Sequence, residues 1–510
     1  MTAFKFLHRW LGVIAAVFIL FFAISGIVLN HRNFFSTIDI NRKYLPKTYH
    51  YNQWNLSAVK SATKIGLDSV LIYGNIGIWL TDSTFSQFTS FSTGIKKGID
   101  NQRTASILVT PSGKILAGTM SGLYELNGNI WIPVKLPVKE KRITGMTQAL
   151  GHTWILTRSN LLKASESDAQ WHTHIIPLPY PNDFKNEISL FKALWMIHSG
   201  ELFGLPGKIF VDFMGLTMIF LSLTGIVWFV APDLMKSLRK RIKTKKRLAK
   251  INRFSLKWHN KLGIWTIVFL IILTITGMFL RPPLLIPIVN KSFPKLKYTA
   301  LDNSNPWYDK LRDIEYDQLA KEFILSTSDG FFITKADFVD SLHRMPHQPP
   351  ISVMGINVFE QPQAGVFITG SFNGIHQWIP SELSVQNYIT KLPVTPASGM
   401  ANPFGSIPVA GYINLDTSNE LIFDYNAGIF SLERNASIPA MPDNVKKESP
   451  ISLWNLALEI HTGRIYSFMF GNFYILFIPL AGLVILIILV SGSILWFKQN
   501  KRKKNKNKKV

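Results

Sequence analysis

A membrane unit recurs in this chain, and a histidine recurs with it. Leu7-His8-Arg9-Trp10-Leu11-Gly12 reads against Trp258-His259-Asn260-Lys261-Leu262-Gly263, and each opens an apolar run. The runs reach Ser25-Gly26 and Thr276-Gly277 at the same offset of 251 residues. Leu194-Trp195-Met196-Ile197-His198-Ser199-Gly200 likewise reads against Leu456-Ala457-Leu458-Glu459-Ile460-His461-Thr462-Gly463, and each stands ahead of a further apolar run. Crossing a bilayer takes about 20 apolar residues. The four runs therefore predict an α-helical bundle of four transmembrane helices, built as a duplicated two-helix unit.

The expected spans lie at 8–30 (the first domain running 1–30), 208–231, 259–281 and 472–497. A basic loop falls at 232–258 and a basic tail at 498–510. The long segments 31–207 and 282–471 each end in a juxtamembrane helix. The first apolar run is too long for a cleaved signal peptide, and no small-x-small cleavage site follows before Asn30-His31-Arg32.

Charge predicts the orientation. The chain carries 55 Lys and Arg against 31 acids, a net +24. Eleven of the bases lie between Pro232 and Trp258, and eight follow Trp496. With Lys5 and Arg9 set aside too, the remainder is nearly neutral. This is a positive-inside pattern, not a nucleic-acid footprint. It places both termini and the middle loop in the cytoplasm of a bacterial inner membrane, and the two long segments in the periplasm. The lipid bilayer is the expected partner of the basic stretches; nucleic acid is not expected.

Both long segments read as β-rich. Short apolar strands flank Gly, Ser or Asn turns. The clearest hairpins are Lys114–Leu126 and Gly365–Trp378. Weaker ones fall at Val70–Thr81, Thr153–Lys163, Phe323–Thr334 and Glu420–Leu432, three per segment and mostly about 40 residues apart, a spacing typical of propeller blades. Three blades do not close a ring, but three plus three do. The expectation is a six-bladed propeller assembled from both segments. Two separate β-sandwiches, or small α/β modules with similar hairpins, are the alternatives.

There is no cysteine. Disulfides, thiolate catalysis, iron–sulfur clusters and covalently attached haem are excluded. Five histidines stand at membrane boundaries: His8, His259, His31, His198 and His461. Two neutral imidazoles from facing helices saturate a haem iron for electron transfer, and four-helix bundles hold cofactors between facing helices. Two haems b are expected, one near each membrane face. His8 and His259 would hold the inner one, and two of His31, His198 and His461 the outer one. His8 and His31 are about 35 Å apart along a helix and cannot serve the same haem. The symmetric pair His198 and His461 is preferred, because His31 aligns with Pro282 in the second copy. Arg9, Arg464, Arg32, Lys261 and Arg281 lie beside these histidines as partners for propionates, or for lipid phosphates. No Walker A, strand-borne GxGxxG, His-Glu-x-x-His or Gly-x-Ser-x-Gly motif is present. No catalytic residue is assigned.

At these residues the chain resembles the PepSY-associated transmembrane family, in the branch of iron-regulated inner-membrane proteins and ferric-siderophore reductases. The matching residues are Leu7–Gly12 with Ser25-Gly26, Trp258–Gly263 with Thr276-Gly277, and the two His-(Ser/Thr)-Gly steps. The resemblance implies an oxidoreductase that passes electrons from a cytoplasmic donor to a periplasmic acceptor, such as a ferric siderophore, other ferric complex or partner protein. No clear PepSY module is legible in the outer segments. A membrane-anchored periplasmic sensor or binding protein is the alternative, and a component of an uptake transporter is another. The absence of a cytoplasmic output module speaks against the first. The near absence of intramembrane carboxylates, with Asp212 near the outer end of the second span the exception, and the lack of a midplane ion site speak against the second.

Overall fold

The structure is a computed structural model and describes residues 3–167, 170–238, 241–352, 355–394, 405, 407–415, 420–431 and 440–507. The chain divides into two units, each assembled from separated stretches.

The first unit contains residues 1–35, 186–302 and 453–510. Its long helices are α1 (Ala3–Asn30), α3 (Gly204–Ser237), α4 (Ile242–Phe279) and α6 (Phe477–Asn507), and all four are long and apolar enough to cross a membrane. Two short helices, α2 (Leu190–Ser199) and α5 (Leu453–His461), precede α3 and α6. Helix α1 packs on α3 and α6, and α4 packs on the same two, which gives a four-helix bundle.

The bundle's polarity is inverted relative to a water-soluble protein. Phe21, Ile24, Leu216, Leu223, Trp265, Val268, Leu483 and Val490 point outward, whereas Ser25, Thr217, Thr224, Thr266, Thr276 and Ser491 are buried. Each of these hydroxyls donates to a backbone carbonyl three or four residues back on its own helix. That is the arrangement a hydrocarbon solvent requires. Apolar side chains face the lipid, and polar groups are satisfied internally against close-packed neighbours. The chain is a multi-pass membrane protein.

Helix α4 differs from the sequence reading at its start. It begins at Ile242, within the stretch expected to be a loop, so most of the basic residues there continue the third span as helix. Lys, Arg and Ala are good helix formers, and no Pro or Gly interrupts Ile242–Leu262. A break separates each short histidine-bearing helix from the span that follows it. Gly200 takes a left-handed conformation (φ 80) and ends α2, and Gly463 does the same (φ 77) after α5. The glycine of each His-(Ser/Thr)-Gly step is thus a helix terminator.

The second unit contains residues 36–185 and 303–452. Among the described residues it holds a two-stranded sheet pairing Asp39-Ile40 with Ile451-Ser452 and six larger antiparallel sheets: sheet I (61–90), sheet II (104–134), sheet III (143–176), sheet IV (311–344), sheet V (358–387) and sheet VI (409–431). Sheets I to V have four strands in sequential order, and sheet VI has three among the described residues. Every hairpin expected from the sequence is the second and third strand of one sheet.

Six apolar clusters lie between these sheets. Tyr73, Ile78, Ala117 and Trp131 join I to II; Leu116, Leu123, Ile155 and Leu162 join II to III. Trp154, Leu161, Phe323 and Leu325 join III to IV, and Phe331, Phe359, Phe367 and Trp378 join IV to V. Ile368, Ile375, Tyr412 and Ile422 join V to VI. Trp79, Val70, Ile413 and Phe423 join VI back to I. Five buried tryptophans, Trp79, Trp131, Trp154, Trp307 and Trp378, each donate the indole N–H to a backbone carbonyl. Each fills a cluster without stranding its polar atom.

Candidate functional site: two facing histidine pairs

The bundle brings four of the five boundary histidines together as two pairs. At the end bearing both chain termini, the rings of His8 on α1 and His259 on α4 have centroids 6.1 Å apart and planes at 79°. Toward the other end, the rings of His198 on α2 and His461 on α5 are 5.8 Å apart at 50°. An imidazole nitrogen sits about 2 Å from a bound transition metal, so two imidazoles on opposite sides of one ion hold their ring centroids roughly 6 Å apart. Both pairs have that separation.

Second partners settle which nitrogen faces the gap. Nδ1 of His8 lies 2.9 Å from the Ile488 carbonyl, that of His198 2.9 Å from Leu273, and that of His461 3.0 Å from Phe22. Nδ1 of His259 lies 3.0 Å from Thr224 Oγ1, a hydroxyl that already donates to the Phe220 carbonyl. A carbonyl can only accept, and the Thr224 hydroxyl has its proton committed to its own helix, so each of these Nδ1 atoms carries the proton and Nε2 keeps its lone pair. Among the described residues no hydrogen bond reaches the four Nε2 atoms. Imidazoles oriented through Nδ1–H to a carbonyl, with Nε2 bare, are in the form that ligates metal.

The donor set discriminates between metals. Among the described residues no group of three or more His, Asp or Glu could hold an ion alone. A bare zinc or copper site needs more protein ligands than two. Two opposed imidazoles suffice when a macrocycle supplies the other four donors. The walls agree. A cavity opens around the first pair among α1, α3, α4 and α6, lined by His8, Arg9, Gly12, Trp228, His259 and Trp496 among others. The residues around the first pair fit a haem, and the second pair repeats its imidazole arrangement.

The remaining candidates are placed as follows. His31 does not join either pair. Its Nε2 lies 2.8 Å from Asp212, which also accepts from Asn30 at 2.8 Å. This accounts for the carboxylate in the N-terminal part of α3. Arg9 lies at the cavity wall with its guanidinium 4.8 Å from the Phe229 ring. Arg464 pairs with Glu459 through two contacts, one of them 3.0 Å, and Arg281 lies in the same charged group. Arg32 covers Trp454 at 4.0 Å, and Lys261 covers Trp265 at 4.3 Å.

Two contributors escaped the sequence reading: Thr224 against His259, and Ser491 at 3.5 Å from His8. They belong to Thr224-Gly225 and Ser491-Gly492. The signal was present, because a Ser/Thr-Gly step occurs on each of the four long helices, but only the two on α1 and α4 stand at a constant offset from a histidine.

Fold and site together define a multi-pass membrane protein with two facing histidine pairs in its helical unit. The chain belongs to the family described as the PepSY-associated TM region, whose model matches residues 2–231 and again 234–499. No curated protein matches the sequence. Solved structures that match include the extracellular domain of a putative hybrid two-component system from B. thetaiotaomicron, at 8% identity and TM-score 0.35, covering 73% of this chain and 32% of that one. A second such domain from the same organism matches at 11% identity and TM-score 0.33, covering 78% and 45%. The chain thus spans less than half the length of either.

Proposed function

We propose that this protein is a haem b membrane oxidoreductase that passes electrons from a cytoplasmic donor to a periplasmic acceptor such as a ferric siderophore or another ferric complex. The observation that carries the reading is the doubled arrangement of facing imidazoles, each oriented through Nδ1 with Nε2 bare. When bound, a haem between each pair would supply a one-electron carrier. The protein's own part is to hold the ligands rigid, so that little rearranges as the charge changes, and to exclude water. Helix α1 carries both His8 and Ser25, the hydroxyl beside His461, and α4 carries both His259 and Thr276, the hydroxyl beside His198. Seventeen residues separate each such pair on its helix, about 25 Å at 1.5 Å per residue. The two sites would lie one above the other across a hydrocarbon core about 30 Å thick. Reducing Fe(III) weakens its hold on hard oxygen chelators, so delivery of an electron outside would release the metal.

The positive-inside pattern supports an inner-membrane orientation with both termini in the cytoplasm. For the β-rich unit we propose a six-bladed propeller, supported by the succession of six inter-sheet clusters in which VI also packs on I. A propeller would give the acceptor a broad docking face.

The test is an absorption spectrum of the detergent-purified full chain after haem-replete expression. A low-spin Soret spectrum with two haems per chain is expected. A haem-to-protein ratio near zero would sink the proposal. His8→Ala and His198→Ala should each lose a different low-spin component while thermal unfolding shows the bundle intact.

A further inference from the structure

The four Ser/Thr-Gly steps share a geometry that ordinary helix packing does not require. Each sits opposite one of the paired histidines. At three of them the carbonyl that accepts from Nδ1–H is the residue three before the hydroxyl and four before the glycine, Phe22 for Ser25-Gly26, Leu273 for Thr276-Gly277 and Ile488 for Ser491-Gly492, and at Thr224-Gly225 the hydroxyl itself takes the His259 Nδ1–H. In a helix a carbonyl accepts from the N–H four residues on, and its second lone pair lies beneath that residue's Cβ. A glycine there uncovers the lone pair. The imidazole edge fills the opening, and a Cβ built on the glycine would stand 2.7 Å from His198 Cε1 at Gly277, 2.8 Å from His8 at Gly492, 3.2 Å from His461 at Gly26 and 3.6 Å from His259 at Gly225. The hydroxyls are spent as donors on their own helix carbonyls. Each therefore turns a lone pair to Nδ1, at 3.1 Å from Ser25, 3.0 Å from Thr224, 3.3 Å from Thr276 and 3.5 Å from Ser491.

The seats are also exchanged between the two copies. His8 and His198 of the first copy rest on α6 and α4 of the second, while His259 and His461 of the second rest on α3 and α1 of the first. Neither copy holds its own histidines.

We propose that Ser25-Gly26, Thr224-Gly225, Thr276-Gly277 and Ser491-Gly492 are positioning residues, a reciprocal set of imidazole seats that fix the Nδ1–H form of each ligand and set its donor strength. This assignment rests on the bis-histidine haem reading. A hydrogen bond from Nδ1–H makes the ligated ring a stronger donor, which favours the ferric state. Weakening a seat should raise the midpoint potential of that site alone.

The glycine distances set a graded test on the full chain in detergent. Gly277→Ala should lose or shift the low-spin signal of the His198/His461 site and leave the other. Gly492→Ala should do the reverse. Gly225→Ala, where the added methyl would stand 3.6 Å from His259, should perturb the His8/His259 site less than Gly492→Ala does. Thr276→Val, which holds the shape, should raise the potential of the His198/His461 site only, and Thr276→Ser should restore it. Wild-type potentials and signals in Gly277→Ala, Gly492→Ala and Thr276→Val would overturn the proposal. So would equal damage in Gly225→Ala, the mark of plain helix packing. Nitrogen-15 NMR of histidine-labelled protein without cofactor separates the two readings. If the wild type binds no haem, the oxidoreductase reading falls, and the seats still stand if these rings show Nδ1–H with bare Nε2. An Nε2–H form at the four rings removes the seats whatever the haem content.

Discussion

At the residue scale the β-rich unit carries a buried charge group outside the histidine sites. Asp313 and Glu315 on the first strand of sheet IV and Glu360 on the first strand of sheet V lie close together, with Lys60 3.6 Å from Asp313. Ser61 donates to Glu360 at 2.9 Å and Thr147 to Glu315 at 2.9 Å. One lysine does not balance three carboxylates. Burial pushes all three above the ordinary carboxylate range, helped at Glu315 and Glu360 by the Asp313 carboxylate nearby, with Glu360 reaching about 7. A carboxyl whose folded pKa is raised binds its proton more tightly in the native state. The stability it lends is full below the unfolded value near 4.5 and is lost as pH rises through about 7. Chemical unfolding followed from pH 4.5 to 8 should therefore show stability of this unit declining with pH. Glu360→Gln should flatten the decline, because the amide keeps the shape and cannot ionise. An unchanged slope in that variant would assign the dependence to other groups.

At the element scale two predictions follow from how helices end and sheets pack. Gly200 and Gly463 both end a histidine-bearing helix in the left-handed region, where any other residue costs about 1–2 kcal/mol. A Cβ on Gly200 would also stand 2.3 Å from the Gly207 carbonyl, whereas on Gly463 it would meet only side chains of α6, the nearest at 3.2 Å. Gly200→Ala should lower thermal stability more than Gly463→Ala, and both should disturb the His198/His461 pair before the His8/His259 pair. In sheet V, Trp378 is fully buried and donates to the His347 carbonyl at 3.0 Å. Trp378→Ala should cost about 3–5 kcal/mol in equilibrium unfolding. Trp378→Phe keeps much of the ring and leaves the carbonyl unpaired, and should cost about 1–3 kcal/mol.

At the scale of the whole molecule, orientation is open to direct measurement because the native chain has no cysteine. Leu67 is fully exposed in the β-rich unit, and Ser237 ends α3. With a membrane-impermeant thiol reagent, Leu67→Cys should label in spheroplasts, and Ser237→Cys only after the membrane is opened. The reverse pattern would invert the topology. The two-unit organisation follows from the duplication, because each copy contributes two spans and half of the sheets.

Sequence alone determined the four spans, the repeat, the hairpins and the five histidines, because each is a local pattern. Twenty apolar residues, a period-two strand and a repeated His-x-x-x-Gly are visible within one window of chain. The helical start of α4 was missed because basic residues favour a loop reading by charge and a helix by propensity, and propensity prevailed. Only the tertiary structure decided which histidines face each other. It set His31 on Asp212, and it gave Thr224 and Ser491 a partner hundreds of residues away or on another helix. The physical reason is that a helix ladder leaves a carbonyl's second lone pair unspoken for. Which imidazole takes it depends on which helix lies alongside, and packing settles that across the whole length of the chain.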